Sequence, residues 1–153
     1  MFKIGDKIPA FSVKDHKGRN FNSQDFIGKK FLVLYFYPKS FTRGCTKEAK
    51  EFKITEHTFQ YFDAEVFGIS SDSVKKQQAF HEQLELTFPL LSDPKGEIAQ
   101  QLGVKKHAFG LVGGRETLVF DKKGILRMRF RQLEVLGHVE KALDVVKELY
   151  NEE

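Results

Sequence analysis

Seven consecutive residues, Phe31-Leu32-Val33-Leu34-Tyr35-Phe36-Tyr37, are apolar or aromatic, and the run stops at Pro38. A short uninterrupted run of this kind has no polar face. It fits a strand buried on both sides within a central sheet. Pro38 has no N–H to offer a ladder, so it ends the strand.

The remaining elements can be set around that strand. Phe11 to Val13, the turn Asp15-His16-Lys17-Gly18 and Arg19 to Phe21 read as a small hairpin. From about Gly44 to Phe62, the apolar residues Ala49, Phe52, Phe59 and Phe62 recur at spacings of three, seven and three, which predicts one face of a helix. Glu65 to Ser70 is a second short strand, and strand, helix, strand in this order requires a parallel crossover. Ser71-Asp72-Ser73 supplies capping residues for a helix running to about Leu84. Asp93 as N-cap, Pro94 at the first helical position, Ile98 and Leu102 four apart and Gly103 as terminator predict another, shorter helix.

Thr117 to Phe120 and Ile125 to Phe130 flank Asp121-Lys122-Lys123-Gly124, a hairpin turn with glycine where a left-handed conformation is needed. Val139, Ala142, Leu143, Val146 and Leu149 form an i, i+3, i+4 stripe on a terminal helix. This order predicts an α/β thioredoxin-like fold: a central mixed sheet flanked by helices, with an N-terminal β-hairpin. At 153 residues and 41% hydrophobic content, without repeats or a linker, the expectation is one domain over residues 1–153. Sixteen phenylalanines and no tryptophan predict a core filled largely by Phe.

The formal charge of +4 comes from scattered doublets such as Lys29-Lys30 and Lys105-Lys106, with no basic stripe, so nucleic acid is not an expected partner. No membrane span and no secretory h-region are read in the sequence, which places the expectation in the cytoplasm. The five histidines, His16, His57, His81, His107 and His138, show no ligand spacing and read as residues of turns and helix surfaces. No metal and no cofactor are expected. Gly110-x2-Gly113-Gly114 lacks a phosphate-loop pattern and reads as a turn.

Cys45 is the only cysteine, so no disulfide framework exists. It follows Gly44, precedes Thr46-Lys47-Glu48, and falls in the first turn of the predicted helix. There, open backbone N–H groups and the positive end of the dipole favour a thiolate below the ~8.5 of an ordinary thiol. A polar setting of this kind points to a nucleophile rather than to a small buried hydrophobe.

The pattern Pro38-x3-Thr42-x2-Cys45 resembles the active-site motif of the peroxiredoxins. YFYP, GCTKEA, Arg115 ahead of TLVFD, and GHVEKAL extend the resemblance over essentially the whole chain, to the peroxiredoxin Q or bacterioferritin comigratory protein branch. The resemblance implies a thiol-dependent peroxidase acting on hydrogen peroxide and organic hydroperoxides. Cys45 would be the peroxidatic cysteine, passing through a sulfenic acid. Thr42 would lend a hydroxyl that donates to the sulfur or accepts from the peroxide, and Pro38 would shield the pocket. Arg115 would steady the thiolate and the transferring oxygen, with Glu48 orienting it. Taken without the resemblance, Thr42 is a turn or N-cap residue, Arg115 a surface charge and Glu48 an exposed helix charge.

Two positions depart from the family pattern. A resolving cysteine is common five residues after the first, where this chain has Lys50, so an external thiol must complete the cycle: thioredoxin, glutaredoxin or a small thiol. Arg43 stands where proline is common. The branch implies a monomer. Competing readings are a Cys-His hydrolase or transferase, and a thioredoxin-fold redox sensor or holdase without efficient turnover. A dithiol oxidoreductase is excluded, because Thr42 occupies the first position of the Cys-x-x-Cys it would need.

Overall fold

The computed structural model describes residues 1–106 and 114–153. His107 and the Gly110 to Gly113 part of the glycine-rich turn lie outside the described residues. The N-terminal hairpin is β1 (Ser12–Asp15) and β2 (Asn20–Asn22), followed by a 3-10 turn, Ser23–Phe26. Then come β3 (Phe31–Phe36), α1 (Arg43–Tyr61), β4 (Ala64–Ser70), α2 (Val74–Leu84), β5 (Leu90–Ser92) and α3 (Glu97–Gln101). The chain closes with β6 (Glu116–Phe120), β7 (Leu126–Arg131) and α4 (His138–Asn151).

Seven strands form one mixed sheet in the order β2-β1-β5-β4-β3-β6-β7. Strand β3 runs parallel to β4 and antiparallel to β6, and β4 runs parallel to β5. The central place of β3 follows from its composition, since all six residues are buried. Its alternate side chains serve two cores. Phe31, Val33 and Tyr35, with Tyr37 beyond, pack with Ala49, Phe52 and Phe59 of α1, Phe80 of α2 and Ala142 and Val146 of α4. Leu32, Leu34 and Phe36 face Phe11, Phe21, Phe67, Ile98, Leu102 and Leu118 on the other side. Each such side chain removed from water contributes about 1.5–3 kcal/mol, so a strand with two apolar faces secures both layers at once.

Helix α2 starts where the sequence predicts, with the Ser73 hydroxyl accepting from Lys76 N at 3.2 Å. Gly124, at φ +82°, makes the β6–β7 turn. Three local expectations are corrected. The short helix begins at Glu97 rather than Pro94, because Asp93 to Gly96 forms a separate turn with Gly96 left-handed. Asp93 still caps it from further back, accepting from Ile98 N at 3.2 Å and Ala99 N at 3.0 Å. Strand β5 has no counterpart in the sequence pattern: three residues are too few for a period to show, and pairing with β4 and β1 defines it. Asp72 does not cap α2. Its carboxylate turns to the loop after β3, accepting from Ser40 N at 2.7 Å and Ser70 Oγ at 2.8 Å.

Candidate active site

The strand-to-helix junction after β3 builds the site. Ser40 is tied to Asp72, and the Tyr37 hydroxyl donates to Gln77 of α2, so the loop is anchored from behind. Phe41 then adopts φ +68°, a left-handed conformation that costs a non-glycine residue about 1–2 kcal/mol. Its ring meets Phe80 edge-on at 5.1 Å. The turn delivers Thr42 as N-cap of α1, and the first helical hydrogen bond is Thr46 N to Thr42 O at 2.9 Å. The N–H groups of residues 43, 44 and 45 therefore precede the ladder, at the positive end of the helix.

Cys45 lies in this first turn and is 2% exposed. Arg115, immediately before β6, is 4% exposed, and its Nη2 donates to Cys45 Sγ at 3.3 Å. Its Nη1 donates to Glu48 Oε1, and its Nε donates to Leu133 O at 2.6 Å. Glu48 is fully buried one helical turn beyond Cys45. Burial pushes its carboxyl up to about 7, against the opposing pull of the Arg115 charge and hydrogen bond. The guanidinium thus bridges a sulfur and a carboxylate and is held by a backbone carbonyl. An anionic sulfur here would face both the helix N-terminus and a fixed cation.

The five candidate residues are placed differently. Arg115 contacts both Cys45 and Glu48, and both charged residues are buried, so the surface readings of Glu48 and Arg115 do not hold. Thr42 is exposed, and its hydroxyl donates to Lys39 O at 2.9 Å, so toward a ligand it keeps only its acceptor lone pairs. Pro38 is half-buried and lines a neighbouring cleft of about 650 Å³ with Tyr37, Asp93, Lys95, Lys106 and Gly114. Cys45, Thr42, Glu48 and Arg115 are not among the residues lining that cleft. Lys50 and Arg43 are both exposed.

The reading of the histidines as turn and helix-surface residues is corrected at His138, which is buried, and in part at His16, which lies in a turn but is buried too. His57 is exposed and His81 half-buried. His138 is a site neighbour that the spacing argument missed, its Nδ1 standing 3.8 Å from Glu48 Oε2. A polar residue at the start of the terminal apolar stripe was the available signal. Among the described residues, no group of three or more His, Cys, Asp or Glu side chains could hold a metal ion.

Comparison with known proteins follows the same lines. Residues 4–129 match the model of the AhpC/TSA family. The chain is 38% identical over 152 residues to Peroxiredoxin Bcp of Bacillus subtilis, covering 96% of each. It is 38% identical over 146 residues to the chloroplastic Peroxiredoxin Q of Sedum lineare, covering 95% of this chain and 78% of the relative. Among solved structures, Peroxidoxin BcpB from Mycobacterium tuberculosis superposes with a TM-score of 0.88 at 33% identity, covering 97% and 98% of the two chains. A cysteine-to-serine mutant of Xylella fastidiosa PrxQ superposes with a TM-score of 0.89 at 29% identity, covering 97% of each.

Proposed function

The chain belongs to the AhpC/TSA family, in the company of the peroxiredoxin Q and Bcp proteins, and from that premise we propose that Cys45 is its peroxidatic residue. The protein is a thiol-dependent peroxidase, and its single cysteine fits a one-cysteine mechanism. The sensor and holdase reading is not favoured by these relatives. The observation that carries the residue assignment is the Arg115 Nη2 contact to Cys45 Sγ, made in the first turn of a helix.

In the proposed cycle, the Cys45 thiolate attacks one peroxide oxygen, an S–O bond forms and the O–O bond breaks. The departing oxygen takes a proton and leaves as water or an alcohol, and sulfur is oxidised to sulfenic acid. Arg115 supplies a fixed donor beside the sulfur while charge moves between oxygens, and Glu48 orients it. Thr42, its hydroxyl hydrogen occupied by Lys39 O, accepts the peroxide O–H. Pro38 shields the flank. A first external thiol condenses with the sulfenic acid, releasing water and leaving a mixed disulfide. A second thiol reduces that disulfide and restores Cys45.

We assign hydrogen peroxide and organic hydroperoxides as substrates, with thioredoxin, glutaredoxin or a small thiol as reductant. The enzyme is proposed to work as a monomeric single domain in the cytoplasm. No helix among the described residues is long and apolar enough to cross a membrane. The test is titration with hydrogen peroxide under mass spectrometry. The expected result is loss of one thiol per chain with a gain of one oxygen, absent in Cys45→Ser. An inert thiol, or peroxide turnover that survives in Cys45→Ser, would overturn the assignment.

A further inference from the structure

Two charged residues stand side by side where the chain enters β6, and their side chains leave it on opposite faces, as alternation along an extended strand requires. Arg115 turns toward α1, where its guanidinium donates to Cys45 and Glu48. Glu116, the next residue and the first of β6, turns toward the chain that follows α3.

Glu116 is fully buried, and both of its oxygens are engaged. Oε1 accepts from Arg129 Nε at 2.8 Å, while Oε2 accepts from Lys105 N at 2.8 Å and pairs with Arg131 Nε at 3.0 Å. The two arginines carry the contacts outward. Arg129 donates to Phe2 O at 2.9 Å and to Leu102 O, and Arg131 donates to Gly103 O at 3.2 Å. One acid thus ties the start of β6 to β7, to the N-terminal residues and to the end of α3. A buried carboxylate between cations adds little stability by itself, because desolvation offsets the attraction.

Its position matters more. Gly114, on the other side of Arg115, lies so close to Lys105 that an added Cβ would run into Lys105 O and Val104 Cγ1. The backbone is therefore held against Lys105 at both neighbours of Arg115, by close approach at Gly114 and by the carboxylate at Glu116. Pairing with β3 begins at the same place, Glu116 standing opposite Phe36, and the Arg115 carbonyl accepts from Gln132 N at 3.4 Å.

We propose that Glu116 is a positioning residue of the Cys45 centre: by gathering Lys105 N, Arg129 and Arg131 on one face of β6, it fixes the backbone from which Arg115 reaches Cys45 on the other. This rests on the reading of Arg115 as the group that assists Cys45. A carboxylate is needed because three N–H groups converge on it, two of them from cations. Glutamine in its place offers one accepting oxygen and turns two N–H donors toward other donors. The clamp on Lys105 then opens, and the guanidinium shifts against Cys45 Sγ and Leu133 O. A displacement of about 1 Å is enough to cost about 10²-fold in rate.

The test has two arms. In the first, hydrogen exchange of the Arg115 Nε–H, which donates to Leu133 O, is followed by NMR in arginine-labelled Cys45→Ser protein. Adding Glu116→Gln should speed that exchange about tenfold more than it speeds exchange of the Leu118 amide in the middle of β6, which reports loss of stability alone. Equal acceleration of the two would overturn the proposal.

In the second arm, single-turnover oxidation of the thiol by hydrogen peroxide is measured in the parent, Glu116→Gln, Arg115→Met and the double variant. Glu116→Gln should lower the second-order constant about tenfold in the parent and less than about twofold in the Arg115→Met background, because its effect passes through Arg115. A merely structural role gives the same factor in both backgrounds, and that result, or no loss in the parent, counts against the proposal. If Glu116→Gln does not fold, Arg131→Gln, at an exposed residue, takes its place in both arms, with smaller changes of the same sign expected and the same results refuting. If Cys45 proves inert to peroxide, the function falls while the exchange arm still judges the positioning.

Discussion

Replacing Arg115 with methionine keeps a buried unbranched stem but ends short of the guanidinium, and it deletes the contacts to Cys45 Sγ, Glu48 Oε1 and Leu133 O. Loss of one positioned donor from a site of developing negative charge costs about 10²–10³ in rate, or about 3–4 kcal/mol. The second-order constant for thiol oxidation by hydrogen peroxide should fall by that factor in stopped-flow measurements.

Stability should respond differently. Removing one member of a buried pair costs about 3–5 kcal/mol when the survivor stays charged. Glu48, however, already stands at about 7. Because its folded value is raised above the ordinary 4.5, its contribution to stability is complete at acid pH and is lost as pH climbs through the folded value. Without Arg115 the two effects that lower it disappear, so that loss extends further up. Urea denaturation of Arg115→Met should therefore show a small deficit at acid pH that grows above pH 7. Adding Glu48→Gln removes the stranded carboxyl and should restore most of the alkaline stability while the rate stays low. A single variant within about threefold of the parent rate, or a double variant that regains the rate, would refute the role given to Arg115.

Three further outcomes are expected. In Gly68→Ala, the added Cβ would meet Tyr35 Cζ at 2.7 Å and Leu90 Cδ2 at 2.9 Å, and urea midpoints should report about 1–3 kcal/mol of destabilisation; an unchanged midpoint would contradict the packing. His16 is buried, stacked on His81 at 3.6 Å, and held down to about 4 by burial and then by the charge of His81, so stability should fall as pH drops from 6.5 towards 4. His16→Phe should flatten that loss, and an equally steep acid limb would count against it. Lys50→Cys places a thiol five residues along α1 from Cys45, about 8 Å up the helix and beyond the about 7 Å that a disulfide spans. Peroxide should then give an intrachain bridge by mass spectrometry only with loss of helical circular dichroism, and a bridge formed with the helix intact would refute the geometry.

Elements with a long period are legible in the sequence itself. The terminal stripe from Val139 to Leu149 needs many residues to face one way and the run from Phe31 needs both of its faces apolar, so burial writes itself into their sequence. Strand β5 has no such length, and its existence depends on β4 and β1 lying either side of it. The start of α3 is misplaced by sequence reasoning because Asp93-Pro94 carries the chemistry of a helix start, while Gly96 at φ +68° resets the chain before the helix begins. In the site, the helical setting of Cys45 is local and readable. Its contact with Arg115 spans 70 residues and that of Glu48 spans 67, and no spacing rule reaches that far. Family resemblance supplies both as expectations.

One local signal does reach across the fold. Polar residues that occupy positions on the apolar stripe of a helix must either break the core or find a partner in another element. In α1 the buried stripe runs Cys45, Glu48, Ala49, Phe52, Glu56 and Phe59, and its two acids are bound by Arg115 and Thr87. In α2 it runs Gln77, Phe80 and Leu84, and Gln77 joins Tyr37, Ser70 and Leu91. In α4 it runs His138, Val139, Ala142, Val146 and Leu149, and His138 joins Thr117 and Gln132. Glu51, three residues from Glu48 and off the stripe, is only half-buried. Three of these four polar stripe residues lie beside the Cys45 region: Glu48 accepts from Arg115, His138 stands 3.8 Å from Glu48, and Gln77 anchors the loop that leads to Thr42. Glu56 aside, the exceptions to amphipathic order in these helices therefore gather around the Cys45 and Arg115 contact.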